Sequence, residues 1–201
     1  MEQHHYFLNT EHRKEDYFSF TDYFMGDSYT FESCADIFSK DNFDYGTTTL
    51  LKTVFNNVTL NGTVLDVGCG YGIIGILIKK YYPNLNVKML DINKNAVMLS
   101  CKNANNIGVK VDVFDSNLYD NVNFKVNHIV TNPPIKAGKQ NLFNVVIGAK
   151  DVLEPNGTIT LVIKKKHGME SLKNKMNEIF GNVKILNRDK GYYILHSEKI
   201  N

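Results

Sequence analysis

Residues 64–75 read VLDVGCGYGIIG. Val64 to Val67 is a short strand, apolar except for Asp66. Gly68, Gly70 and Gly72 follow at alternate positions, and the chain then runs apolar from Ile73 to Ile78 before Lys79. The pattern predicts a strand, a glycine turn and a helix over Gly72–Tyr82, ended by Pro83. Glycine permits a sharp turn and close approach of a ligand to the backbone. The helix start adds N–H groups and the positive end of a dipole.

Gly70-Tyr71-Gly72-Ile73-Ile74-Gly75 matches GxGxxG, the dinucleotide fingerprint. The next strand, Asn86–Asp91, ends in an acid about 20 residues on, where a carboxylate grips ribose hydroxyls. A nicotinamide dinucleotide and S-adenosylmethionine both carry such a ribose. Asp66 helps to separate them. Dinucleotide enzymes usually run an apolar strand straight into the glycines. D-x-G-x-G-x-G instead resembles motif I of the class I S-adenosylmethionine-dependent methyltransferases.

A second loop, Asn132-Pro133-Pro134-Ile135, follows the strand Val126–Thr131. Proline fixes φ and removes a donor, so this loop is stiff. It sits at a strand's C-terminal edge, where open α/β sheets bind ligands. Its chemistry suits methylation of an amino group conjugated to a ring. The lone pair of such a nitrogen is delocalised. The Asn132 side-chain oxygen and the Pro133 carbonyl can each accept one N–H bond and so favour a pyramidal nitrogen. No strong base is needed; orientation alone supplies roughly 7–11 kcal/mol in well-placed reactions.

The remaining sequence bounds the setting. A chain of 201 residues with 43% hydrophobic and 22% charged residues has room for one domain with a small extension. It buries about 70–75% of its unfolded surface without a disulfide or metal. No apolar run approaches the about 20 residues of a membrane span. The N-terminal stretch lacks a secretory signal pattern. The three cysteines, Cys34, Cys69 and Cys101, form no CxxC pair, which fits a reducing cytoplasm and no metal site. The formal net charge of +2 conceals an asymmetry: residues 1–63 hold 4 basic and 10 acidic side chains, residues 133–201 hold 12 and 6. A basic last third suits either a solvated lysine face or a polyanionic partner.

Around the two loops the chain alternates strand and helix. Tyr17 to Phe31 reads as a hairpin turning through MGDS, and Asp44–Thr47 leads into a helix reaching Phe55. Helices are expected at Lys94–Ile107, Leu142–Leu153 and Met169–Phe180. Strands are expected at Thr63–Val67, Lys110–Phe114 and Thr158–Ile163, the last after a turn at Asn156–Gly157. The tail, VKILN-RDKG-YYILHSE, is an antiparallel hairpin. Repeated βα units closed by a hairpin imply an α/β fold: a seven-stranded, mostly parallel sheet with one antiparallel strand and helices on both faces. The N-terminal hairpin is expected to lie across it. Residues 1–45 form the extension packed on the core, and 46–201 the catalytic domain.

With these elements in place, the chain resembles the small-domain class I methyltransferases that modify guanine-N2 of small-subunit (16S) ribosomal RNA, in a short single-domain form. The likeness runs from Tyr29 and includes VLDVGCGYGIIG, MLDIN, DSNL, TNPPIKAGK and GYYIL. The resemblance implies S-adenosylmethionine as cofactor. Asp66, Gly68, Cys69, Gly70, Tyr71 and Gly72 would hold its methionine end, and Asp91 with Ile92 its ribose. Asp115, Ser116 and Asn117 would contact its adenine, and Asn132 would border it. Asn132, Pro133, Pro134 and Ile135 form the catalytic loop. The Asp44–Thr47 turn looks like the family's lid-side segment.

Many amino-methylating relatives place an aromatic residue after NPP, where this chain has Ile135, so Phe38 is the candidate to stack on the target base. Lys136, Lys139, Lys164, Lys165 and Lys166 would meet RNA phosphates of ribosomal RNA or the small ribosomal subunit. Alternatives are the same chemistry on adenine-N6 or a protein glutamine amide, a nicotinamide-dependent oxidoreductase, and a non-catalytic cofactor- or RNA-binding module.

Overall fold

The computed structural model describes residues 17–35, 37, 41–135 and 138–200. Phe38 and Lys136 lie outside the described residues. The chain opens with two strands, β1 (Tyr17–Phe24) and β2 (Asp27–Cys34), then α1 (Tyr45–Asn57). β3 (Thr63–Val67), α2 (Ile73–Tyr81), β4 (Asn86–Asp91), α3 (Lys94–Ile107), β5 (Asp112–Asp115) and β6 (Val126–Thr131) follow. The rest is α4 (Lys139–Val152), β7 (Leu153–Lys164), a short 3-10 turn at Lys165–His167, α5 (Met169–Phe180), β8 (Lys184–Asp189) and β9 (Tyr192–Glu198).

β3 to β9 make one sheet in the order β5-β4-β3-β6-β7-β9-β8. All neighbours run parallel except β9, which is antiparallel to both β7 and β8. Its direction follows from the turn before it. Lys190 and Gly191 both have positive φ, 44° and 78°, the signature of a two-residue turn that suits the strands' twist. β3 sits between β4 and β6, where the winding of the sheet reverses. A crevice at the C-terminal ends of its strands therefore forms there.

Strand alternation divides the core. Val64 packs with Leu50, Ile74 and Leu99 on one face. Leu65 and Val67 pack with Leu142, Val146, Leu172 and Met176 on the other. By the same period of two, Asp66 shares the face of Val64 and points under α2.

Two expectations are corrected. The N-terminal turn is tighter than MGDS: Met25 and Gly26, at φ 53° and 97°, turn the chain alone, and Asp27 and Ser28 already pair with Phe24 and Tyr23. The turn at Asn156–Gly157 does not interrupt a helix–strand junction. It is an irregularity inside β7, whose register with β6 jumps between Val126 and His128. The N-terminal hairpin forms a separate two-stranded sheet, fastened to α3 and, through it, to the glycine turn. The fully buried Asn103 of α3 accepts from Glu32 N at 2.8 Å and donates to Glu32 O and Tyr71 O at 2.9 Å each.

Asn103 thus satisfies three backbone groups from two segments at once. Asn103→Ala is expected to destabilise the protein by about 3 kcal/mol, since each buried group left unpaired costs roughly 1–3 kcal/mol. Urea unfolding measures the loss, and amide exchange should quicken first in β1 and β2.

Candidate active site

The crevice at the switch point is a cavity of about 460 Å³, within the range of small-molecule sites. Its floor is the glycine turn, its far wall the start of α3 and the loop after β5, and its near wall the NPP loop.

The turn is held by hydrogen bonds from neighbours. Gly68 N and Cys69 N both donate to Leu90 O, at 2.9 and 3.0 Å, and Gly72 N donates to Cys69 O at 2.9 Å. Gly70 N donates to Asp91 Oδ2 at 2.9 Å, and Ser100 Oγ donates to Gly70 O at 2.9 Å. These glycine N–H groups are therefore spent inside the protein. A pyrophosphate seated on such a turn needs them, which weighs against a dinucleotide. What the turn offers a ligand is bare backbone: at Gly70, φ is +58° and a Cβ would project toward Ile37. Gly75 serves packing instead, because a Cβ there would come within 2.3 Å of Met89 Sδ.

Asp91 bridges two loops. Its Oδ2 accepts from Gly70 N and its Oδ1 from Asn93 N, both at 2.9 Å. Capping of α3 falls to Asn93, whose side chain accepts from Asn95 N. Asp91 lines the cavity together with Ile92, Ser116 and Asn117. Ser116 is fixed by Ser116 N donating to Asp91 O at 3.0 Å and its hydroxyl donating to Leu118 O at 2.7 Å.

Asn132 follows β6, which is tied to β3 by Thr131 Oγ1 donating to Val67 O at 2.7 Å. Its Nδ2 donates to Thr47 Oγ1 at 2.8 Å and Asp44 Oδ2 at 3.2 Å. Asp44 caps α1 by accepting from Thr47 N at 2.8 Å. A carboxylate only accepts, so the amide's NH₂ end must face it. Among the described residues, no group donates to Asn132 Oδ1.

Gly68, Cys69, Gly70, Tyr71, Asp91, Ile92, Ser116, Asn117, Asn132, Pro133, Pro134, Ile135 and Lys164 all line this one cavity. Others do not. Asp66 is fully buried beneath the turn, its Oδ2 accepting from Gly75 N at 3.1 Å. The missing Cβ of Gly72 faces Ile76 and Ser100. Asp115 is exposed because adjacent residues of an extended strand point oppositely, and Ser116 takes the inward place. Lys139 lies over the Phe143 ring, 5.3 Å from its centroid, and Lys165 and Lys166 are exposed on the 3-10 turn.

The cavity also takes in Thr47, His167 and Tyr192, which no motif marked individually. Tyr192 begins β9 and pairs with Lys164, the last residue of β7. Lys164 Nζ sits 4.7 Å from the Tyr192 ring centroid, and Tyr45 packs against the same ring at 5.8 Å. The two-residue turn in RDKGYY is the sequence signal that could have put Tyr192 at this edge. Burial pushes the Cys69 thiol well above its usual range, which disfavours the thiolate that a nucleophile needs.

The family model for the methyltransferase small domain matches residues 28–196. The chain belongs to that family. Members of this methyltransferase family use S-adenosylmethionine. The Bacillus subtilis (strain 168) protein YbxB is 36% identical over 175 residues, covering 86% of this chain and 87% of that protein. Ribosomal RNA small subunit methyltransferase C of Colwellia psychrerythraea is 29% identical over 197 residues, covering 92% of this chain. The chain spans only 54% of that relative's length. Among solved structures, a T. thermophilus 16S rRNA N2 methyltransferase (RsmC), in complex with AdoMet and guanosine, superposes with a TM-score of 0.82 at 24% identity. That match covers 91% of this chain and half of the other, and speaks for the fold.

The residues present fit the donor. The floor without side chains at Gly68 and Gly70 admits a ligand against the backbone. Beneath it, Asp66 Oδ1 is buried and has no hydrogen-bond partner among the described residues. Among the described residues, no group of three His, Cys, Asp or Glu side chains is placed to hold a metal, and no helix is long and apolar enough to cross a membrane.

Burial pushes the Asp66 carboxyl from 3.8 up to about 8. Between those values the folded protein keeps a proton that the unfolded chain has released. That contribution is full below pH 3.8 and is lost as pH rises through about 8. Asp66→Asn, the neutral isostere, should therefore gain stability over wild type as pH rises. The gap should be smallest near pH 3.8 and largest above about 8. Thermal unfolding across pH measures it, and a pH-independent gap would mean that Asp66 is ionised in the fold.

Proposed function

We propose that this protein transfers a methyl group from S-adenosylmethionine to N2 of a guanine in small-subunit ribosomal RNA. The observation that carries the reading is the Asn132 amide. Its nitrogen is engaged by Thr47 and Asp44, and its oxygen is left to accept at the wall of a cavity floored by glycine. Relatives named as ribosomal RNA small subunit methyltransferases support the substrate class.

Bound S-adenosylmethionine supplies an electrophilic methyl on a sulfonium. The chain's residues do the rest by placement. Asp91, Ile92, Ser116 and Asn117 would hold the nucleoside half of the cofactor, and Gly68 to Tyr71 its methionine half. Asn132 Oδ1 and the Pro133 carbonyl accept the two N–H bonds of the target amine and turn its lone pair toward the methyl. The amine nitrogen would gain a bond to the methyl carbon as the carbon–sulfur bond breaks and its electron pair returns to sulfur, leaving S-adenosylhomocysteine, and the nitrogen would then lose a proton to water. Pro133 and Pro134 keep the acceptors from drifting, which preserves the orientation term that dominates such catalysis.

The target base must leave its helix to reach the cavity. Tyr192 offers it an aromatic wall, a role the chain does not fill at Ile135. Lys164 beside that ring, with Lys165 and Lys166 outside the cavity, meets the phosphate backbone. On this reading weak salt should favour binding and strong salt should abolish it.

Labelled S-adenosylmethionine tests the proposal on naked small-subunit RNA and on assembled small subunits, both from cells lacking the protein. Label is expected in N2-methylguanosine after digestion to nucleosides. Label in another nucleoside, in protein or in neither substrate would overturn it. Asn132→Ala should abolish transfer while cofactor affinity stays within a few-fold, as equilibrium binding would register. Asp91→Ala should do the reverse, weakening cofactor binding by about tenfold or more through loss of charge-assisted hydrogen bonds.

A further inference from the structure

We infer that Asp44 and Thr47, at the start of α1, are positioning residues that fix which end of the Asn132 amide faces the cavity. The inference rests on the reading of Asn132 as acceptor for the target amine. An asparagine side chain is nearly symmetric in shape. Half a turn about its last torsion exchanges an acceptor for two donors while filling the same space. With the NH₂ end inward, the target amine would meet donor against donor, and its lone pair would lose its alignment. The protein must therefore prevent the flip, and a stiff NPP backbone cannot do so alone.

The atoms around Nδ2 supply the restraint. Thr47 Oγ1 lies 2.8 Å from it and Asp44 Oδ2 3.2 Å. Asp44 has no proton to offer as a carboxylate. Thr47 has one, but its hydroxyl donates to Asp44 Oδ2 at 3.2 Å, which leaves a lone pair toward Asn132. A flipped amide would thus press its oxygen against two acceptors. Only one orientation satisfies all three side chains.

The restraint is itself held rigidly. Thr47 N donates to the same Asp44 Oδ2 at 2.8 Å, so the bonds that cap α1 and those that orient the amide share one carboxylate oxygen. Gly46 lies between the two residues. A Cβ there would come within 2.9 Å of Asp44 Oδ2 and 2.5 Å of Tyr192 Cε1. The small residue lets the cap, the amide and the Tyr192 ring converge.

The test uses the full chain with three substitutions. Thr47→Val keeps the shape and removes the acceptor. Thr47→Ser keeps the oxygen. Asp44→Asn still caps the helix, since asparagine is as good a cap as aspartate, but it can offer a donor to a flipped amide. In the ligand-free protein, the Asn132 side-chain NH₂ signals in a ¹⁵N correlation spectrum report the bond directly. They should move upfield in Thr47→Val and stay near wild type in Thr47→Ser. In methyl transfer, Thr47→Val and Asp44→Asn should lower kcat by roughly tenfold or more, with KM for RNA and affinity for S-adenosylhomocysteine within about threefold. Thr47→Ser should recover most of the rate.

Unmoved Asn132 signals in Thr47→Val, or a kcat within about twofold of wild type in both Thr47→Val and Asp44→Asn, would overturn the inference. If the wild-type protein methylates no guanine, the substrate reading falls instead, and the spectra alone decide the orientation.

Discussion

Glycine supplies no side chain to hold a loop in shape, so the floor of this cavity depends on a grip exerted from outside. The grip centres on Tyr71, the large residue between Gly70 and Gly72. Its buried ring packs edge-on against Phe20 at 5.5 Å and Phe31 at 5.4 Å, and both belong to the N-terminal hairpin. Phe43 closes the cluster against both phenylalanines. Asn103 binds the Tyr71 carbonyl from the other side. Aromatic pairs of this kind add about 0.5–1.5 kcal/mol each beyond their burial. The hairpin is therefore a brace for the turn, although it contributes no strand to the main sheet.

A second dependence runs through the end of β3. Asp66 accepts from Gly75 N through one carboxyl oxygen and leaves the other buried, without a hydrogen-bond partner among the described residues. Burial of that kind is costly for a charged group, and a proton relieves the cost. The acid thus acts on a ligand through the shape of the turn and the start of α2. The contact surface itself is left to backbone, to Asp91 and to the loop after β5. Beside the NPP loop the charged groups are Asp44, bonded to the Asn132 amide, and Lys164 in the cavity wall.

How much of this was legible follows from distance along the chain. The glycine turn, Asp91, the NPP loop and the terminal hairpin are each written within a few consecutive residues; the structure brings the first three to one cavity and pairs the hairpin's strands antiparallel. The inward direction of Asp66 was also available, because Val64 and Asp66 share parity on one strand. The convergence on Asn132 was not. Asp44 and Thr47 lie 88 and 85 residues from it, and Tyr45 reaches Asp189 across 144. No local pattern encodes such meetings; they follow from closure of the sheet. The Asn156–Gly157 irregularity was misread for a related reason. The pair has turn chemistry, yet backbone bonds to Lys199 hold it within β7.

The antiparallel placement of β9 has a consequence in time as well as in space. Because β9 runs opposite to its neighbours, its first residue, Tyr192, arrives at the edge where the parallel strands end. The wall formed by Tyr192 and Lys164 is therefore completed only after the ribosome has made every parallel strand and then turned the chain at Lys190–Gly191. The order of synthesis therefore supplies this wall of the cavity after its floor and its NPP loop.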